Sequence, residues 1–119
     1  MNMIKNILIV EDDVVFCKLL TRFLSKNDYS TQDAQSAKGA FDLLEKGSFD
    51  LAILDYRLTD DNGLSILKKI KSDNKVSKVI LITRYGDEEV ANKAIDLGAD
   101  AYISKPINPD ELLSVIKSL

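Results

Sequence analysis

Apolar residues in this chain come in short unbroken runs, and each run ends on a polar side chain. Residues 7–10 (ILIV) stop at Glu11-Asp12-Asp13, residues 51–54 (LAIL) at Asp55, and residues 79–82 (VILI) at Thr83. Such runs suit strands buried on both faces better than strands with one wet face. A further segment, 101–104, leads into Lys105-Pro106, and a more polar one, 29–34, reads as an edge strand that needs no neighbour on one side. Between these segments the apolar period lengthens to that of a helix. Phe16, Leu19, Leu20, Phe23 and Leu24 share a face over 13–26, where Asp12 or Asp13 can act as the cap. Ala37, Ala40, Phe41 and Leu44 share another after Ser36, a fitting N-cap, and Gly47 closes that helix. Leu64, Leu67 and Ile70 predict a helix over 64–72 that Ser72-Asp73-Asn74 breaks; Val90, Ala91, Ala94 and Ile95 predict an inward face over 87–97, ended by Gly98. Asn108-Pro109-Asp110-Glu111 starts a last helix that runs to Leu119. It offers a capping side chain, a proline where the missing N–H costs nothing, and acids at the positive end of the dipole.

Strands alternating with helices predict an α/β domain with a parallel sheet over residues 1–119. Right-handed crossovers narrow the topology, and the strand order 2-1-3-4-5 puts the most polar strands, the second and fifth, at the edges. No internal repeat or linker divides the chain. Every strand then points its carboxyl end at one edge of the sheet, where ligands collect in open parallel sheets.

Composition removes several function classes. The 119 residues carry a formal net charge of −3, with no basic footprint, so nucleic-acid binding by this domain alone is not expected. No apolar stretch approaches a bilayer-spanning length, and the opening residues lead straight into a strand, so no membrane association and a cytoplasmic location are expected. The single cysteine, Cys17, sits in a helical pattern that favours core packing over catalysis. There is no histidine, which excludes histidine bases, histidine metal ligands and histidine-dependent triads.

In the predicted sheet order the first and third strands are neighbours, so Asp55 faces Glu11 and Asp12. Crowded carboxylates resist ionisation unless something neutralises them, and Mg²⁺ is apt because it takes few carboxylates and shares its other sites with water and phosphate. Lys105 can pair with a carboxylate or a phosphoryl oxygen, and Thr83 can donate to the same oxygen. These groups around one carboxylate suit phosphoryl transfer, which depends on positioning and charge neutralisation. Asp13, the third acid of its run, reads as a helix cap, and Asp87-Glu88-Glu89 as a first helical turn satisfying its dipole.

In order and spacing, these residues resemble the receiver domains of two-component response regulators over essentially the whole chain. The resemblance implies a single three-layer (βα)5, flavodoxin-like domain and a phosphorelay function. Carried over by position, Glu11 and Asp12 look like the acidic pair that holds Mg²⁺, with Asp12 a direct ligand, and Asp55 like the phosphorylated ligand aspartate. The Arg57 carbonyl matches the family's main-chain ligand. Thr83 matches the switch hydroxyl, Tyr102 the switch aromatic, and Lys105-Pro106 the phosphate-sensing lysine with its cis proline. Asp55, Thr83 and Lys105 are then the catalytic set. The implied partners are a sensor histidine kinase or histidine phosphotransfer protein that donates the phosphoryl group, and an output domain or effector met through the helix 4, strand 5, helix 5 face. A phosphorylation-dependent homodimer is left open.

The chain departs from the family pattern at several positions. Thr59 replaces a common proline and Asn62 a common aspartate, both turn-compatible. Arg84 stands where a small residue is usual, and its guanidinium either obstructs the incoming phosphohistidine or holds the phosphoryl group. Arg57 and Tyr85 occupy positions that tune water's access, so an unusual phosphoryl lifetime is expected. The segments DYRLTDDNG and TRYGD look like those of receivers attached to transcriptional regulators, whereas no DNA-binding or catalytic segment follows the last helix here; a stand-alone regulator and a portion of a longer protein both stay open. A haloacid-dehalogenase-like phosphatase also uses a strand-end aspartate with Mg²⁺, but needs an acid where Arg57 stands. A receiver-like scaffold that is not phosphorylated is the other alternative, resting on Arg84.

Overall fold

The computed structural model describes residues 3–84 and 87–119. The strands β1 (Asn6–Val10), β2 (Ser30–Ala34), β3 (Phe49–Asp55), β4 (Val76–Thr83) and β5 (Ala101–Ser104) alternate with the helices α1 (Val14–Lys26), α2 (Ala37–Lys46), α3 (Gly63–Asp73), α4 (Glu88–Asp96) and α5 (Pro109–Ser118). All strand pairs are parallel and the sheet order is β2-β1-β3-β4-β5, as the sequence predicts.

Because side chains alternate along a strand, each apolar run feeds two cores at once. Leu8, Val10, Ala52, Leu54, Val79 and Leu81 face α2, α3 and α4, where Ala40, Leu44, Leu67, Ile70 and Ala94 close the layer. Ile7, Ile9, Leu51, Ile53, Ile80 and Ile82 face α1 and α5 and pack on Cys17, Leu20, Leu24, Leu112 and Ile116. Burying one such side chain stabilises the fold by about 2 kcal/mol. Both faces therefore hold the central strands in place.

Most helix starts follow the predicted chemistry. Asp13 caps α1 by accepting from the Phe16 N–H at 3.0 Å, and Ser36 caps α2 by accepting from Gly39 at 3.0 Å. Asn62 accepts from Leu64 at 2.9 Å and Ser65 at 3.2 Å, while Asn108 accepts from Asp110 at 2.9 Å and Glu111 at 3.3 Å. Gly47 ends α2 in an extended conformation, and the exposed end of that helix is served by Lys75, whose ammonium donates to the Leu44 carbonyl at 2.7 Å.

Some expectations need correction. Leu19 and Ile95, read as inward-facing, are 58% and 43% exposed. On α1 the buried line runs through Cys17, Leu20 and Leu24, which turns Leu19 outward, and on α4 only Ala91 and Ala94 are fully inside. Two strands are also longer than their apolar runs. β3 begins at Phe49 and tolerates Asp50 because that carboxylate accepts the Lys5 and Asn6 N–H groups, each at 2.9 Å. β4 begins at Val76, and Asp100 accepts from the Val79 N–H at 2.8 Å beside Lys78.

Candidate functional site

Strand alternation assembles the site. Ile9, Ile53 and Ile103 all face the α1/α5 core. Two residues further along each chain stand Glu11, Asp55 and Lys105, which the same period directs to the same side. The Lys105 ammonium lies 2.9 Å from Glu11 Oε1 and 3.2 Å from Asp55 Oδ2, so one cation bridges two carboxylates. Glu11 is fully buried and Asp55 is 5% exposed. Asp12 is half-buried beside them, and one carboxylate oxygen from each of Glu11, Asp12 and Asp55 lies within 4.8 Å of the others.

The charge balance of this cluster is uneven. Burial, then the hydrogen bond and the charge of Asp55, push the Glu11 carboxyl from 4.5 up to about 8, against the opposing pull of Lys105. Burial draws the Lys105 ammonium down, but Glu11 and Asp55 outweigh it and its pKa is raised. One ammonium cannot neutralise two buried carboxylates, so the cluster favours a further positive charge, from a proton or a cation. The donor set fits a small hard cation: oxygen ligands only, close together, and short of positive charge.

Backbone contacts fix the surrounding loops. The Lys105 N–H donates to the Thr83 carbonyl at 2.8 Å, tying the ammonium's strand to that of the buried Thr83, and the Lys105-Pro106 peptide is cis. The Tyr56 N–H donates to Ile82 at 2.9 Å, and the Arg57 N–H reaches toward Asp55 Oδ1 at 3.4 Å. Arg57 and Arg84 are exposed, and Tyr85 lies outside the described residues. Tyr102 is 44% exposed and pairs with Leu81, which places it on the same sheet face as Leu81 and Thr83. Beside Lys105 an open cavity of about 510 Å³ is lined by Asp13, Phe16, Lys105, Pro106 and Ile107.

Sequence reasoning missed two contributors. The Phe16 ring lies 5.3 Å beneath the Lys105 ammonium, a cation–π contact that no local pattern announces. Gly63 opens α3 so close to Asp55 that a Cβ would stand 2.6 Å from the Asp55 carbonyl oxygen. A lone glycine at a helix start was the available signal. Cys17 is buried, and burial followed by the nearby Asp33 raises its thiol to about 11, in keeping with a packing role.

Comparison with known proteins agrees with this geometry. Residues 7–117 match the family described as the response regulator receiver domain, and the chain belongs to that family. It is 36% identical over 114 residues to the alginate biosynthesis transcriptional regulatory protein AlgB of Pseudomonas putida, a match covering 95% of this chain and 25% of that protein. The curated relatives it matches are longer, and the chain spans from a quarter to just over half of their length. A CheY-like receiver domain protein from Methanospirillum hungatei superposes with a TM-score of 0.88 at 35% identity, covering 98% of this chain and 93% of that one. A Burkholderia pseudomallei response regulator, solved with a phosphorylated aspartic acid, a calcium ion and citrate, has a TM-score of 0.83 at 27% identity, covering 96% of this chain and 71% of that one. The chain is thus a receiver of two-component phosphorelay signalling, and no helix among the described residues is long and apolar enough to cross a membrane.

Proposed function

We propose that residues 1–119 form a receiver domain that takes a phosphoryl group onto Asp55 from a phosphohistidine on a sensor kinase or histidine phosphotransfer protein. The observation that carries this reading is the Lys105 ammonium bridging Glu11 and Asp55 at the ends of parallel strands. Glu11, Asp12, Asp55 and the Arg57 carbonyl would hold Mg²⁺, which supplies charge neutralisation to the carboxylates and the phosphoryl oxygens. An Asp55 oxygen attacks phosphorus, the P–O bond forms, the P–N bond breaks, and its electron pair stays with the departing imidazole. Having no histidine, this chain cannot supply that donor.

Lys105 then exchanges part of its pairing with Asp55 for a phosphoryl oxygen, and the Thr83 hydroxyl donates to another. Thr83 and Tyr102 share a sheet face, so movement of the threonine toward the acyl phosphate frees space for the ring. That shifts a pre-existing equilibrium at the face of α4, β5 and α5, where an output domain, an effector or a second copy would bind. The phosphorylated aspartate of the Burkholderia pseudomallei relative supports the same chemistry here. A cytoplasmic location is part of this reading.

The test is intact-protein mass after incubation with a small-molecule phosphodonor and Mg²⁺, beside Asp55→Asn and a magnesium-free sample. Gain of one phosphoryl group that needs both Asp55 and Mg²⁺ is expected. No gain, with magnesium binding intact, would replace this reading with that of an unphosphorylated scaffold and direct attention to Arg84.

A further inference from the structure

The loop between β3 and α3 carries the Arg57 carbonyl, yet its sequence, Thr59-Asp60-Asp61-Asn62, has no proline to stiffen it. Its order comes from hydrogen bonds. Gly63 N–H donates to Tyr56 at 2.8 Å, Arg57 and Asn62 form an antiparallel bridge, and Leu58 N–H donates to Asp61 at 3.2 Å. These contacts make a short two-armed ladder standing on Asp55. Its tip is tied to a different part of the chain: the Asp60 carboxylate accepts from the Ala37 N–H at 2.9 Å and from the Lys38 N–H at 3.0 Å, both in the first turn of α2. That helix already has its own cap in Ser36, so the Asp60 bond is additional to what the helix start requires of its local sequence.

We infer that Asp60 is a positioning residue for the metal site: by clamping the loop tip to α2 it holds the ladder, and with it the Arg57 carbonyl, at the acidic cluster. A carboxylate bonded through both oxygens to adjacent amides restrains rotation as well as distance, which a single cap bond does not. The amides it engages belong to the helix start, where a negative charge is favoured. This inference rests on the proposed ligand set of Glu11, Asp12, Asp55 and the Arg57 carbonyl.

Its test is Mg²⁺ affinity by isothermal titration, measured on the native chain, Asp60→Ala, Asp60→Asn and Ser36→Ala, with melting temperatures alongside. Ser36→Ala weakens the same helix start without touching the loop, so it separates helix stability from loop positioning. The expected result is about tenfold weaker Mg²⁺ binding for Asp60→Ala. A smaller loss is expected for Asp60→Asn, which keeps one acceptor, and native affinity for Ser36→Ala despite a lowered melting temperature. Native affinity in Asp60→Ala, or an equal loss in Ser36→Ala, overturns the positioning role while leaving the ligand set standing. Failure of the native chain itself to bind Mg²⁺ overturns the ligand set and this inference together.

Discussion

At the scale of single residues, Glu11 carries the sharpest consequence. Its carboxyl is raised from 4.5 to about 8 in the folded protein by burial and by Asp55. A raised folded-state value means the folded state holds the proton more tightly than the unfolded chain. The contribution to stability is therefore complete below about pH 4.5 and is lost as pH climbs through about 8. In metal-free buffer the melting temperature is expected to fall across that window, and Glu11→Gln, which cannot ionise, should flatten the fall; a native slope in the variant would show that another group is responsible. Added Mg²⁺ should reverse the trend, because a cation favours the ionised carboxylate. Glu11 and Asp55 were legible because each ends an apolar run, and Lys105 because it follows the last strand-like segment; alternation then decides their side of the sheet. The raised proton affinity of Glu11 was not, since it follows first from burial by chain segments far away in sequence. Phe16 was legible as an apolar helix residue but not as the ring under Lys105, a contact made across 89 positions of chain (105 − 16).

At the scale of elements, α3 meets β3 with no room to spare. A methyl at position 63 would press on the Asp55 carbonyl at 2.6 Å and on Leu81 Cδ1 at 2.9 Å, and the backbone oxygen has nowhere to go. Gly63→Ala is expected to cost about 1–3 kcal/mol, read from the shift in urea midpoint at unchanged slope. It should also slow the proposed phosphorylation, because the atoms displaced belong to Asp55 itself. Unchanged stability would mean that α3 slides to accommodate the methyl. Helices and strands were read nearly in place, while their outward residues and strand starts were not. Leu19 and Ile95 look apolar enough to be core, but each lies a helical step of 100° from a residue that already fills the contact. Asp50 hides the true start of β3 because its partners, the Lys5 and Asn6 amides, lie more than forty positions away.

For the whole molecule, two cores share one sheet, and their common members are the central strands. Ile7 to Val10, Leu51 to Leu54 and Val79 to Ile82 have no exposed surface, whereas β2 is largely exposed and β5 has one buried residue of four. Amide hydrogen exchange is expected to be slowest in β1, β3 and β4 and fastest at β2 and β5. Edge strands protected as strongly as β3 would mean that the domain opens only as a unit. The strand order followed from the sequence because crossover handedness and the polarity of the second and fifth strands leave few arrangements.

That polarity reaches beyond the isolated molecule. β2 reads Ser30-Thr31-Gln32-Asp33 before its single buried alanine, and β5 is only four residues long. An intruding chain would find an acid and hydroxyls along one margin and too short a template at the other. The sheet's margins thereby resist growth, so crowding and long storage should bring neither fibrils nor runaway strand exchange.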